Sequence, residues 1–235
     1  MYKIAVVPGD GIGPEVIAEG VKVLNAAAEV ESLSIEWEWF PIGSERYLRT
    51  GDLLTQEDID RLGKKDAIYF GAIGDPRVAP GILEKGILIT MRTRFDQYVN
   101  MRPSRSWHPY TPFKRERDFD ITFLRENTED FYMGAGGSFQ KKEPTSTITI
   151  RRHLYDLDLK VEATSSSDYE FAYEVGIMSS KGIERFADYA FEMARNRGVE
   201  KITAADKANI CTHLYHLWRR IFKQKSEEYG IPVEF

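Results

Sequence analysis

The sequence predicts an α/β protein built on a mainly parallel sheet. Three observations carry this reading. Short apolar runs that suit strands recur at Lys3–Val7, Leu33–Phe40 and Ala67–Phe70. Apolar residues at helical spacing fall between them. Two of the runs end in glycine-rich turns, Gly9-Asp10-Gly11-Ile12-Gly13 and Gly71-Ala72-Ile73-Gly74. Strands that alternate with helices pair in parallel, because the helix supplies the return crossing.

The first run leads through Pro8 to Glu15, after which Ile17, Gly20, Val21 and Leu24 recur at helical spacing. Pro14 fits a first helical turn, where its missing N–H costs nothing, and Glu15 fits the positive end of the helix dipole. A dinucleotide fingerprint is not completed here: after Gly9 and Gly11 its third position holds Pro14. The glycines still allow a ligand to approach the backbone closely. Thr55, with Asp58 three residues on, marks a helix start that Ile59 and Leu62 continue. Leu88–Val99 reads as a helix holding Arg92, with Arg102 just past its end. Ile121–Leu124 is a buried strand that ends in Arg125.

Further on, Thr147–Ile150 and Lys160–Ala163 alternate like half-exposed strands, and Ser165–Ser167 is loop. Ile183, Phe186, Ala187, Ala190, Met193 and Ala194 form one helix face, stopped by Gly198. Ile210, Leu214, Leu217, Ile221 and Phe222 form another, stopped by Gly230. Ile202–Ala205 and Ile231–Val233 read as short strands beside these helices.

Chemistry concentrates between Arg92 and Tyr132. Arg92, Arg102 and Arg125 share this stretch with Tyr132. Guanidinium stays charged and grips carboxylates two-pronged. An arginine at the end of a buried strand faces the mouth of a sheet, where α/β proteins bind ligands. Three such arginines together suit a small molecule with two or more carboxylates; each alone reads equally as an ordinary surface residue.

Composition narrows the classes. The 235 residues are 42% hydrophobic and 29% charged, ordinary for a globular chain. A net charge of −5 gives no overall basic field for nucleic acid. Lys114–Arg117 and Arg151-Arg152 read as solvated charge clusters. The single cysteine, Cys211, excludes an internal disulfide and reads as an inert buried thiol. No apolar run approaches the roughly 20 residues of a membrane span, and Ile4–Val7 is too short for a signal-peptide core. A cytoplasmic protein without membrane or nucleic-acid partners is expected. His213 and His216 lack a neighbouring acid or cysteine and read as surface or interface residues.

Four motifs then point to a family. They are Gly9–Glu15, Arg92 with Phe95–Pro103, Arg125–Glu129 with Tyr132, and Asp206-Lys207-Ala208-Asn209. In this order they resemble the isocitrate/isopropylmalate dehydrogenase family of metal-dependent β-decarboxylating dehydrogenases. The resemblance implies oxidative decarboxylation of a 2-hydroxy acid with a carboxylate on the neighbouring carbon, using NAD or NADP and Mg²⁺ or Mn²⁺. It implies two α/β domains with a β-arm. Residues 1–100 would be the N-terminal half of the large, cofactor-side domain. Residues 101–235 would be the small domain, with a dimerisation arm and interface helices.

By the same resemblance, Arg92, Arg102 and Arg125 hold the substrate carboxylates. Tyr132 handles the proton at carbon 3, and Lys207, supplied by the partner of a homodimer, helps deprotonate the hydroxyl. Like charges disfavour the protonated form of a lysine set among arginines and a metal ion, which suits a general base. Ile12, Gly71, Ala72, Ile73, Gly74 and Asn209 match the cofactor side, and Leu88 and Ile89 lie against the group at carbon 3. Their hydrocarbon favours an alkyl malate, as in 3-isopropylmalate. The phrase Phe95–Asn100 and the Gly71–Gly74 loop look more like the tartrate and D-malate branch, while isocitrate and homoisocitrate are less favoured. The metal-binding aspartates and the adenosine loop are expected beyond Phe235, with the C-terminal part of the large domain. Little dehydrogenase activity is therefore expected of these 235 residues alone. A reading from another class is a noncatalytic dimerisation or ligand-binding fragment.

Overall fold

The structure is a computed structural model that describes residues 1–107, 118–140 and 146–235. The Lys114–Arg117 cluster lies outside the described residues. The chain divides into two compact units, Met1–Phe95 and Asp96–Phe235, so the boundary falls before residue 100. No helix among the described residues is long and apolar enough to cross a membrane.

In the first unit, β1 (Tyr2–Val7) is the centre of a parallel three-stranded sheet, flanked by β2 (Ile35–Trp39) and β3 (Ala67–Phe70). The helix α1 (Gly13–Val30) follows β1. Two short helices, α2 (Ser44–Thr50) and α3 (Gln56–Leu62), lead to β3. Thr55 and Asp58 form a reciprocal capping box at the start of α3, as their spacing indicates. Ala5, Val7, Phe40, Ile42, Leu62, Leu83 and Ile87 form the core of this unit.

The expected helix over Leu88–Val99 is replaced by three elements. Glu84–Ile89 is a π-helical turn, α4 covers Thr90–Arg94, and Val99 opens strand β4 (Val99–Arg105). The break comes at Asp96, whose φ of 47° no continuing helix adopts. Arg102 therefore lies within a strand. Pro103 is tolerated there because, among the described residues, β4 pairs on one side, with β5.

In the second unit, β4 pairs antiparallel with β5 (Asp120–Glu126). The strand β6 (Asp130–Gln140) pairs with β9 (Glu170–Ile177), and β7 (Ser146–Arg151) pairs with β8 (Asp156–Val161). β8 thus starts before the expected Lys160. Helices α5 (Ser180–Asn196) and α6 (Thr212–Tyr229) pack on each other through Ile183, Phe186, Trp218 and Phe222. The Trp218 and Phe222 rings stand 4.3 Å apart. β10 (Ile202–Thr203) pairs in parallel with β11 (Val233–Glu234) beside them. Arg152 is not a solvated charge: its Nε donates to the Thr128 carbonyl at 3.1 Å. Cys211 is half-buried rather than buried.

The start of α5 rests on a buried carboxylate. Ser179 caps the helix by accepting from the Gly182 N–H at 2.9 Å and donates its own hydroxyl to Glu129 at 2.6 Å. The Ser179 N–H donates to the other Glu129 oxygen at 2.8 Å. A side chain at position 182 would put its Cβ 2.4 Å from that carboxylate, so only glycine fits. We expect Gly182→Ala to lower stability by on the order of 1–3 kcal/mol. Chemical denaturation checks it, and an unchanged midpoint contradicts this account of the α5 start.

Candidate active site

The ladder of β4 and β5 sets two of the arginines. Asn100 stands opposite Arg125, and Arg102 opposite Phe123. Opposed residues share a face, as do alternate residues along a strand. Arg102 and Arg125 are therefore diagonal neighbours on one face, a spacing of roughly 7–8 Å that two long side chains can close on one dicarboxylate. Arg102 is exposed and Arg125 half-buried.

Arg125 is already oriented. Its Nη1 donates to the Tyr132 hydroxyl oxygen at 2.7 Å and its Nη2 to Asn127 Oδ1 at 3.0 Å. Its guanidinium carbon stands 4.8 Å from the centre of the Tyr132 ring. The tyrosine oxygen accepts in this bond, so its hydroxyl proton is not spent there.

The turn between these residues is built on two acids. Glu126 accepts from the Thr128 N–H and hydroxyl and from the Glu129 N–H at 2.7 Å. Burial pushes the Glu126 carboxyl above its ordinary value, against those bonds, and the nearby Glu129 adds to the rise. Burial, with Glu129 close by, also pushes up the Tyr155 hydroxyl. Glu126, Asn127, Thr128 and Glu129 are all buried. Sequence reading placed these four in a family motif but gave them no structural role; a run of hydrogen-bonding residues directly after an apolar strand is the further signal.

Lys207 is exposed in the turn that opens α6, where its carbonyl accepts from the Ile210 and Cys211 N–H groups. The neighbouring Asp206 accepts from Arg219 Nε at 2.6 Å and from the Ala208 N–H at 3.0 Å, which fixes the turn. Arg219 holds the Asp206 carboxyl below its ordinary value. Asn209 is exposed in the same turn, and His213 and His216 are exposed on α6. No bond among the described residues joins Lys207 to Tyr132, Arg102 or Arg125.

Arg92, Leu88 and Ile89 belong to the first unit, each half-buried. In that unit the two glycine-rich strand ends form one surface. The Asp10 N–H donates to the Ala72 carbonyl at 2.7 Å. The buried Asp10 carboxylate accepts from the Gly74 N–H and from the Ser44 N–H and hydroxyl. Gly9, Gly13 and Gly71 serve this packing, since an added Cβ at each would meet backbone at about 2 Å. At these three positions the absence of a Cβ is required by the packing itself. At Gly11 and Gly74 nothing lies within 4 Å of the Cβ position, and Ile12 beside them is 64% exposed.

Comparison with known proteins decides the family. The model of the family described as isocitrate/isopropylmalate dehydrogenase matches residues 3–233. The chain belongs to this family. It is 39% identical over 229 residues to the 3-isopropylmalate dehydrogenase of Bifidobacterium longum, covering 97% of this chain and 59% of that protein. The 3-isopropylmalate dehydrogenase of Beutenbergia cavernae is 39% identical over 234 residues, with 99% and 60% covered. Among solved structures, the isocitrate dehydrogenase of Methylococcus capsulatus matches with a TM-score of 0.75 at 26% identity, covering all of this chain and 60% of its own. The chain thus spans about three fifths of the length of these relatives.

A dehydrogenase of this family needs a hydride acceptor and a divalent metal. The open backbone at Gly11 and Gly74, with exposed Ile12, Ala72 and half-buried Ile73, fits a flat cofactor ring laid against it. The metal does not fit in the same way. Among the described residues no group of three or more His, Cys, Asp and Glu is placed to hold an ion.

The raised Glu126 carboxyl sets a sign for pH. The folded state binds this proton more tightly than the unfolded state, so its contribution falls as pH rises above the ordinary value of 4.5. We expect the stability difference between the protein and its Glu126→Gln variant to shift against the unaltered protein as pH rises from there. Denaturation curves across that range measure it; a difference independent of pH, or one of opposite slope, contradicts the burial account.

Proposed function

We propose that the chain carries the substrate-gripping half of an NAD(P)-dependent dehydrogenase that oxidatively decarboxylates a 3-substituted D-malate. The reading is 3-isopropylmalate dehydrogenase-like. The observation that carries it is the ladder end where Arg102 and Arg125 share a face and Arg125 donates to Tyr132. Two fixed positive charges beside a tyrosine hydroxyl suit a hydroxy acid with two carboxylates that must exchange a proton near one of them.

Each residue has a task in this reading. Arg102 and Arg125 bind and orient the carboxylates. Tyr132 holds a proton at its hydroxyl for the carbon left by CO₂. Arg92 adds a third carboxylate contact, and Leu88 and Ile89 give hydrocarbon to an alkyl group at carbon 3. Lys207 serves as base toward the substrate hydroxyl, reaching the site of a partner subunit in a homodimer. NAD(P), lying along Ile12 and Gly71–Gly74 with Asn209 also on the cofactor side, would supply the acceptor for the hydride. The curated relatives' names favour the alkyl-malate substrate over tartrate or D-malate.

NAD(P)H formation by the full reading frame, with Mn²⁺ and a panel of D-malates, tests the reading. An alkyl malate or D-malate is expected to give the highest kcat/KM; a higher value for isocitrate contradicts it. The 235 residues alone are expected to show little or no turnover and to sediment as a dimer. Robust turnover, or a stable monomer, overturns those two parts.

Arg102→Lys keeps the charge but removes the fork. It is expected to raise KM for the hydroxy acid roughly ten- to hundred-fold, the equivalent of about 1.5–3 kcal/mol, with the fold intact. An unchanged KM in an active enzyme shows that Arg102 does not touch the substrate.

A further inference from the structure

We propose that Asn127 is a positioning residue for the Arg125–Tyr132 pair. The inference deepens the reading above and rests on it for the kinetic part of its test. Asn127 is 4% exposed, so its amide is turned inward rather than toward a ligand. Both ends of that amide are used. Oδ1 accepts from Arg125 Nη2 at 3.0 Å, and Nδ2 donates to the Gln97 carbonyl at 3.1 Å. A guanidinium only donates and a carbonyl only accepts, so these two partners fix which end is which. A carboxylate in this place would set oxygen against oxygen at Gln97, and an alkyl chain would satisfy neither partner.

Arg125 depends on this anchor. Its Nε is buried with no hydrogen-bond partner among the described residues. The bonds to Tyr132 and Asn127 therefore set the rotation of the guanidinium plane. With the Asn127 bond gone, only Tyr132 holds the plane, which can then turn about the Cδ–Nε bond and shift Nη1 relative to the tyrosine oxygen.

The anchor also reaches the other arginine. The Asn127 N–H donates to the Tyr98 carbonyl at 3.1 Å. Gln97 and Tyr98 belong to the tight turn in which the Tyr98 N–H donates to the Asp96 carbonyl at 2.8 Å. The Asp96 carboxylate is gripped by Arg185 of α5 at 2.5 and 2.9 Å. Strand β4, which carries Arg102, leaves directly from this turn. Asn127 thus ties the Arg125 side chain to the strand that presents Arg102.

Two variants separate positioning from mere support. Asn127→Leu removes both bonds, whereas Asn127→Asp keeps an acceptor for Arg125, now charged, and loses the donor to Gln97. The readout is the ¹³Cζ NMR signal of Tyr132 in tyrosine-labelled protein, assigned with Tyr132→Phe; it requires no turnover. The signal is expected to move distinctly further in Asn127→Leu, which frees the guanidinium, than in Asn127→Asp, which still holds it. Circular dichroism confirms folding, and Asn127→Ser, too short to reach Arg125, replaces the leucine variant if that one unfolds. In the full reading frame, Asn127→Leu is expected to raise KM for the hydroxy acid about tenfold or more, with a smaller effect on kcat. An unmoved Tyr132 signal in Asn127→Leu, or equal movement in the leucine and aspartate variants, overturns the proposal. If the unaltered protein turns over no hydroxy acid, the reading of its function fails, and the tyrosine signal alone decides the role of Asn127.

Discussion

A carboxylate taken out of water must be given hydrogen bonds in exchange, or its burial costs several kcal/mol. Glu129 satisfies that constraint at the first turn of α5, where Ser179 supplies both its N–H and its hydroxyl. Ser179 at the same time satisfies the Gly182 N–H of the helix. One acid thereby fixes where α5 begins relative to the turn that follows β5. Glu126 closes that turn from inside by collecting the N–H groups of Thr128 and Glu129. Arg125, Asn127 and Tyr132 then emerge from a segment with no freedom to drift. Charged reagents need such support, because a guanidinium displaced by an ångström no longer meets its carboxylate squarely.

The first unit solves a similar problem with Asp10. Its buried carboxylate collects donors from the starts of α2 and of the loop after β3. The glycines around it permit backbone to lie on backbone at a distance no side chain tolerates. The one Ser44 hydroxyl proton is shared between Asp10 and Asp75, whose carboxyl Arg77 holds well below the ordinary carboxylate range. Gly11, Ile12 and Gly74 form the exposed rim of this surface.

Much of this was legible in the chain. Strands β1 and β3 follow from compact apolar runs, and α3 from the Thr55–Asp58 capping pair. The face of α5 follows from a 3.6-residue period that the packed core uses directly, whereas on α6 only Ile221 and Phe222 of the expected face are buried. Ile210 precedes the helix and is 69% exposed, and Trp218 takes the core position instead. The helix expected at Leu88–Val99 was not legible, because its apolar residues keep a helical rhythm past the point where Asp96 turns the chain. Strand β6 hides behind Gly134, Gly136 and Gly137, residues that argue against a strand. Gly136 and Gly137 lie on it because Tyr173 and Glu174 of β9 press close to them, and Gly134 because its φ of 68° is left-handed. Motif spacing singles out Arg92, Arg102, Arg125, Tyr132 and Lys207 as candidates. It includes Glu126, Asn127 and Glu129 without showing what they do, because that depends on partners up to 50 residues away.

The chain belongs to the isocitrate/isopropylmalate dehydrogenase family, and the buried turn explains how Arg125 and Tyr132 are held in place. Amide hydrogen exchange at Thr128, Glu129, Ser179 and Gly182 tests that support most directly. If the two acids hold the turn and the helix start as one unit, these amides exchange together, at a rate set by opening of the second unit's core. Exchange at Thr128 and Glu129 as fast as in an exposed loop, while Gly182 stays protected, contradicts the account.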